Sequence, residues 1–167
     1  KLNLEIFDKK RFVEEAKKRN VYDENANFLN EKPIDSFLYS IAMSYGATNP
    51  RDRYIDFVKE LTEQENCIII GRCADYVLKD DPNVLRLFFF APKEDCIVRV
   101  MEHDGITRRD AENKIEKIDK HRADYYKYYT GKDWYDARNY DFCLDTTSMG
   151  YEKLVEVVKN FIEVYQS

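Results

Sequence analysis

The stretch Cys67–Pro92, C-I-I-I-G-R-C-A-D-Y-V-L-K-D-D-P-N-V-L-R-L-F-F-F-A-P, constrains the fold more than any other part of the chain. It holds two short apolar runs, Cys67–Ile70 and Val84–Ala91, rich in β-branched or aromatic residues and without clean polar alternation. Such runs suit central strands of a parallel sheet, covered by helices on both faces. The first run ends in Gly71-Arg72, a glycine and a cation where a strand hands over to a loop. Ligands of open α/β sheets sit at the carboxyl ends of the strands. Arg72 is therefore the first candidate for function.

A chain of 167 residues has a one-domain length and can bury a sizeable core. With 44% hydrophobic and 35% charged residues and few glycines or prolines, it reads as a soluble, helix-rich protein. No apolar run approaches the roughly 20 residues of a membrane span, and no secretory signal pattern is present. The four cysteines, Cys67, Cys73, Cys96 and Cys143, form no C-x-x-C pair and read as free thiols of a cytoplasmic protein. His103 and His121 lack ligand spacing to any of them, so no residue is assigned to a metal. A net charge of −5 argues against broad nucleic-acid binding, while a few local arginines suffice for a phosphate-bearing small ligand. Residue 1 is Lys rather than Met, which leads us to expect a piece of a longer polypeptide.

In order, Leu4–Phe7 reads as a strand and Asp8 as the N-cap of a helix through Arg19. Lys9, Lys10 and Arg11 crowd its first turn, marking either a nearby anion or a solvated basic face. Residues 20–32 read as a loop. Pro33 opens a helix ended by Gly46, and Asn49-Pro50 starts another with Tyr54, Phe57, Val58 and Leu61 inward. After the second strand, Pro92 begins a helix to Asp104-Gly105, and Thr107–Asp110 is a capping box opening a long helix. On that helix Ile115, Ile118, Arg122 and Tyr125 share one face, which places Arg122 in an inward stripe. Phe142–Asp145 is the last strand, and Leu154, Val158, Phe161, Ile162 and Tyr165 point inward from the final helix. The resulting order, β-α-(α-α)-β-β-α-α-β-α, is a three-layer parallel α/β plan with two helical excursions.

Arg72 can clasp a phosphate or carboxylate bidentately, or pair with Asp75 or Asp80 on the surface. Arg122 is either an anion-binding group or the partner of Asp119 three residues earlier. Arg99, Arg108 and Arg109 flank Asp104-Gly105, where they could stabilise charge on a transferring phosphoryl group or simply lie exposed. The tyrosines of 125–135 could stack a base, pack the core or form a subunit contact. The five glycines (46, 71, 105, 131 and 150) are scattered, so no glycine-rich phosphate loop exists within the sequence.

At I-I-I-G-R-C-A-D-Y-V-L, D-D-P-N-V-L-R-L-F-F-F-A-P, I-D-K-H-R-A-D-Y-Y-K-Y-Y-T-G-K-D-W and N-Y-D-F-C-L-D-T-T, the chain resembles the cytidylate kinase-like family, from about Leu4 to the C-terminus. The resemblance implies a P-loop nucleoside monophosphate kinase-like fold over residues 1–167. Residues of about 22–62 would form a monophosphate-binding excursion and about 103–138 a lid. It further implies transfer of a phosphoryl group from ATP, with Mg²⁺, to CMP, dCMP or a similar monophosphate. Arg72 matches the arginine of a G-R-D motif at the monophosphate site; the following aspartate, which reads cytosine, is Cys73 here. Asp119 matches a residue near the sugar, and Arg122 one that reaches the monophosphate. Arg99, Arg108 and Arg109 fall where lid arginines meet ATP phosphates.

The reading is thus a cytidylate kinase-like phosphotransferase in which arginines position the acceptor and neutralise charge. Its rivals are a non-catalytic nucleotide-binding regulatory protein and a kinase of another small metabolite. Its partners are a nucleoside monophosphate and ATP, with no nucleic acid and no membrane; a second copy of the chain is a further candidate. The phosphate loop is expected upstream of Lys1, in roughly 20–25 residues of strand, loop and helix. Without it, the 167 residues should turn over nothing and should show a gap or unusual pairing in mid-sheet, or borrow a strand from another copy.

Overall fold

The computed structural model describes residues 4–32, 43–44, 49–63 and 66–165. It is an α/β structure that divides into two compact units. The first comprises residues Lys1–Asp80 and Tyr125–Gly131, the second Asp81–Asp124 and Lys132–Ser167. The helix expected from Pro33 to Gly46 falls largely outside the described residues.

In the first unit, strand β1 (Glu5–Phe7) pairs in parallel with β2 (Cys67–Ile69), with Ile6 opposite Ile68. Helix α1 (Lys9–Lys18) begins at Asp8, whose carboxylate accepts the Arg11 N–H at 2.8 Å, as its place before the apolar stripe predicts. The Arg11 guanidinium lies among Glu5, Glu14 and Glu15 at 3.6–3.9 Å. Phe12 is fully buried between the rings of Phe7 (5.9 Å) and Phe57 (6.2 Å). Full burial of a side chain of this size stabilises by about 1.5–3 kcal/mol.

Residues 20–32 are not a loop. Tyr22–Leu29 form helix α2, with Asp23 and Glu24 in the first turn, where the helix dipole favours anions. Asn25 turns its amide onto the Val21 carbonyl at 2.9 Å, so a residue that usually competes with the helix instead joins it. Phe28 and Leu29 are buried, which outweighs the polar composition. Helix α3 (Pro50–Thr62) starts as expected, Asn49 accepting the Arg51 N–H and Pro50 in the first turn. Tyr54, Phe57, Val58 and Leu61 line its buried face. A four-residue helix, α4 (Ala74–Val77), follows β2.

In the second unit, β3 (Leu87–Phe90) pairs in parallel with β4 (Phe142–Asp145), Leu87 opposite Phe142. β3 is shorter than the apolar run that encodes it. The Arg86 carbonyl accepts from Asp141 and Phe142, and its guanidinium grips the Asp141 carboxylate at 2.5 and 2.9 Å. Upstream, Asp81 folds the chain into a turn by accepting from Asn83. Helix α5 (Lys93–Asp104) ends at Gly105, whose φ of 66° is the left-handed value that glycine takes freely. Helix α6 (Arg108–Thr130) follows, Thr107 and Asp110 bonded across its first turn at 2.7 Å. Its last residues belong to the first unit. A single 3₁₀ turn (Ala137–Asn139) leads into β4, and helix α7 (Tyr151–Tyr165) closes the chain. Phe161 of α7 stacks on Phe142 at 4.3 Å, but Tyr165 is exposed rather than inward.

The apolar runs did not become central strands. Among the described residues β2 pairs with β1 alone and β3 with β4 alone, in two two-stranded sheets. Ile68 and Phe89 are each about half exposed, so neither strand is covered on both faces as the unbroken apolar pattern suggests.

Candidate functional site

At the end of β2 the backbone turns through three consecutive left-handed residues, Gly71 (φ 74°), Arg72 (59°) and Cys73 (55°). Glycine takes this conformation freely, whereas each residue with a Cβ is disfavoured by roughly 1–2 kcal/mol. The turn aims the Arg72 side chain into the first unit, where only 8% of it reaches solvent. It also delivers the Cys73 carbonyl to the Tyr76 and Val77 N–H groups that open α4. Tyr54 of α3 holds the turn from behind by donating its hydroxyl to the Arg72 carbonyl at 2.8 Å.

The Arg72 guanidinium forms an ion pair with Glu31, the second residue after α2. Glu31 is itself left-handed, with φ 53°. Its N–H donates to the Phe28 carbonyl (3.2 Å), and the Lys32 N–H to that of Asn27 (2.8 Å). These two bonds make a Schellman ending of α2. Two tyrosines of α6 hold that ending, Tyr125 donating to the Phe28 carbonyl (3.2 Å) and Tyr129 to the Lys32 carbonyl (2.7 Å). Asp75, weighed from sequence as a partner for Arg72, accepts the Tyr126 hydroxyl at 2.6 Å.

A narrow cleft of about 250 Å³ opens beside this turn, lined in part by Phe28, Arg51, Tyr54, Cys73 and Tyr129. It is pinched to little more than the space of one water. Phe28 closes it, stacked on Tyr54 at 4.4 Å and tilted against Tyr129 at 4.1 Å. Burial, then the Asp75 charge, pushes the Cys73 thiol well above the usual thiol range. Cys73 is therefore a neutral, unreactive wall residue. Burial likewise keeps the phenols of Tyr54, Tyr125 and Tyr129 protonated, as their donor roles require. Of the expected tyrosine cluster, 125, 126 and 129 are packing and anchoring residues.

The remaining candidates lie in the second unit. Arg99 donates both terminal nitrogens to Thr146, to its hydroxyl at 2.9 Å and its carbonyl at 3.0 Å. Because Thr146 also donates to the Phe90 carbonyl, Arg99 fastens α5 to the carboxyl ends of β3 and β4. Arg108 pairs with Glu94 (2.7 Å) and Glu112 (2.9 Å), and Arg109 is exposed beside it. Arg122 does not lie in a buried stripe; its side chain is 54% exposed and reaches Asp119 at 3.9 Å. Burial and the Asp119 charge raise the Tyr135 phenol, while Arg122 opposes them. Trp134 and Tyr140 pack on Phe88 at 5.5 and 4.8 Å.

Glu31, Arg51 and the tyrosine hydroxyls were not legible as site groups. Tyr54 and Tyr125 carry correct core spacing, and only the fold shows where their oxygens point. Among the described residues no three or more His, Cys, Asp or Glu side chains gather as a metal site, and no helix is long and apolar enough to cross a membrane.

A buried arginine on a left-handed turn at the carboxyl end of a parallel strand, paired with a glutamate, is the centre of the candidate site of this α/β protein. The chain belongs to the cytidylate kinase-like family, whose model matches residues 1–148. It is 28% identical over 113 residues to a cytidylate kinase of Methanopyrus kandleri, a match spanning 63% of this chain and 58% of that protein. The crystal structure of an uncharacterized protein from Eubacterium ventriosum superposes with a TM-score of 0.74 at 26% identity, over 97% of this chain and 85% of the other.

Proposed function

We propose that the protein is a nucleoside monophosphate kinase that takes CMP or dCMP as acceptor and ATP as donor, on a P-loop kinase-like fold. The observation that carries this reading is the placement of Arg72. A guanidinium held beneath the surface by a costly turn is suited to bidentate recognition of a phosphate. The family membership supplies the reaction class.

In this reading Arg72 binds the acceptor phosphate, and Cys73 lines the wall beside the base. Asp119, Arg122, Arg99, Arg108 and Arg109 of the second unit keep the nucleotide-binding roles that the family resemblance implies. The internal contacts of Arg99 and Arg108 make Arg109 and Arg122 the more available of these cations. Catalysis is positioning and charge neutralisation, without a covalent intermediate on the protein. Mg²⁺ belongs to the donor nucleotide, since it binds readily through substrate phosphates while keeping several waters.

The test is a coupled ADP-release assay of the full-length protein with ATP and Mg²⁺ against CMP, dCMP, UMP and AMP. Turnover of CMP or dCMP is the expected result. Tight CMP binding with no turnover of any acceptor would assign a nucleotide-binding regulatory protein instead. Failure to bind any of the four would overturn the reading.

A further inference from the structure

We propose that Glu31 is an internal competitor for the anion seat of Arg72, so that the site admits only ligands whose phosphate carries two negative charges. The inference rests on the reading of Arg72 as the acceptor-phosphate group and adds a selectivity element to it.

Three observations carry it. The first is the position of Glu31 itself. In a Schellman ending the residue in the left-handed region is usually glycine, and sometimes asparagine. The other described helices that end in a left-handed residue follow that rule, α1 with Asn20, α5 with Gly105 and α6 with Gly131. α2 alone among them places a glutamate there, with φ 53°. The second is where the strain converges. Glu31, Arg72 and Cys73 are three of the four non-glycine residues with positive φ among those described, and the first two meet in one ion pair. Backbone strain retained at a single contact points to function. The third is depth. The Glu31 side chain is 20% exposed and that of Arg72 8%, so the pair reaches solvent more through Glu31 than through Arg72. A ligand drawn to the Arg72 guanidinium competes with a carboxylate already paired to it.

The chemistry follows from charge and shape. A carboxylate and a phosphate both match the planar guanidinium fork, but a carboxylate brings one charge and a phosphate monoester close to two. A dianion can displace Glu31 from Arg72, whereas a phosphodiester or a carboxylate meets a competitor of equal charge that is already tethered in place. Phe28, three residues before Glu31, closes the neighbouring cleft, so the same helix end occupies the seat and narrows the space beside it.

The experiment measures binding of CMP and of its phosphate methyl ester, a monoanion, by calorimetry. It uses the full-length protein and its Glu31→Gln, Glu31→Gly and Arg72→Ala variants. Glu31→Gly guards against misfolding, because glycine is the residue this backbone position favours. The expected result is that both Glu31 variants bind CMP about tenfold tighter than the native protein, a difference readily resolved in a dissociation constant. They also gain measurable affinity for the methyl ester, which the native protein lacks. Unchanged or weaker CMP binding in both, with Arg72→Ala weakening it at least tenfold, overturns the competitor role and leaves Glu31 as a residue that positions Arg72. CMP binding that survives Arg72→Ala unchanged overturns the phosphate-seat reading and the competitor with it.

Discussion

The Tyr54 hydroxyl donates to the main-chain carbonyl of Arg72 across 2.8 Å, in a setting where Tyr54 is only 1% exposed. Burial, reinforced by Cys73 and Asp75, raises this phenol far above its usual range, so it is a donor at every pH the fold survives. The bond props a turn whose left-handed residues would otherwise relax. Tyr54→Phe removes the donor and leaves the carbonyl buried, which should cost about 1–2 kcal/mol of stability. Monophosphate affinity should fall as well, because the guanidinium loses its fixed aim. Urea unfolding beside CMP calorimetry checks both, and intact affinity in Tyr54→Phe would show that the turn holds itself.

The Arg72–Glu31 pair makes a second expectation quantitative. Arg72→Ala should weaken monophosphate binding by about 1.5–3 kcal/mol, the scale of a hydrogen bond to a charged group. It should also destabilise the fold, by roughly 2–3 kcal/mol, less than a fully buried pair would, because Glu31 retains some contact with water. The double variant Arg72→Ala/Glu31→Gln should recover much of that stability and none of the binding. A double-mutant cycle read by thermal melting and calorimetry separates the two effects. Additive stability losses would mean that the ion pair contributes little.

How much of this was legible depended on whether the determining chemistry was local. The caps at Asp8 and Asn49 and the Thr107–Asp110 box act within one turn of chain, and their residues announce them. The place of Arg72 at the end of a strand was legible because a glycine-cation pair ending a β-rich run marks the carboxyl edge of a strand. α2 was not, because its stability comes from Phe28 packing against Tyr54 and Tyr129, partners remote in sequence. The stripe on α6 shows the limit of periodicity. Spacing correctly put Ile118, Arg122 and Tyr125 on one face, but it cannot say what covers that face. Tyr125 is buried, Ile118 is 37% exposed, and Arg122 is open to solvent. An apolar run likewise does not report the number of its neighbours: among the described residues β2 pairs with β1 alone and β3 with β4 alone.

In the second unit the Arg86–Asp141 pair should set an acid limit. Hydrogen bonds from the Arg86 side chain lead in holding the Asp141 carboxyl below its usual range, with the Arg86 N–H and charge adding to them. A carboxyl depressed by folding contributes stability that is complete above its unfolded pKa, near 3.9, and is lost as pH falls through the folded value. Asp141→Asn should therefore destabilise by about 1–2 kcal/mol at pH 7, the scale of charge-assisted bonds that remain partly solvated. The deficit should begin to shrink below about pH 4, as the unfolded-state carboxyl takes up its proton, and should vanish only below the depressed folded value, where the folded carboxyl is protonated too. Melting temperatures from pH 3 to 7 test this, and a gap that stays constant would remove the ion pair from the account.

Base choice gives the last expectation, at Cys73. A cytosine offers an amino donor where a uracil offers a carbonyl oxygen, so a carboxylate beside the base favours CMP and repels UMP. Cys73 presents only a weak hydrogen-bonding group, kept neutral by burial and by Asp75. The native protein should therefore separate CMP from UMP only modestly, and to the same extent at pH 6 and pH 8. Cys73→Asp suits the backbone, because aspartate tolerates the left-handed region better than most residues with a Cβ. Its carboxyl would nevertheless be buried close to Asp75, and both burial and like charge raise a carboxyl pKa. Preference for CMP should thus rise by about tenfold in the variant, the worth of one good hydrogen bond to a charged group, and should grow with pH as the new carboxyl ionises. CMP and UMP titrations of both proteins at the two pH values decide it. Strong rejection of UMP by the native protein would mean that another side chain reads the base.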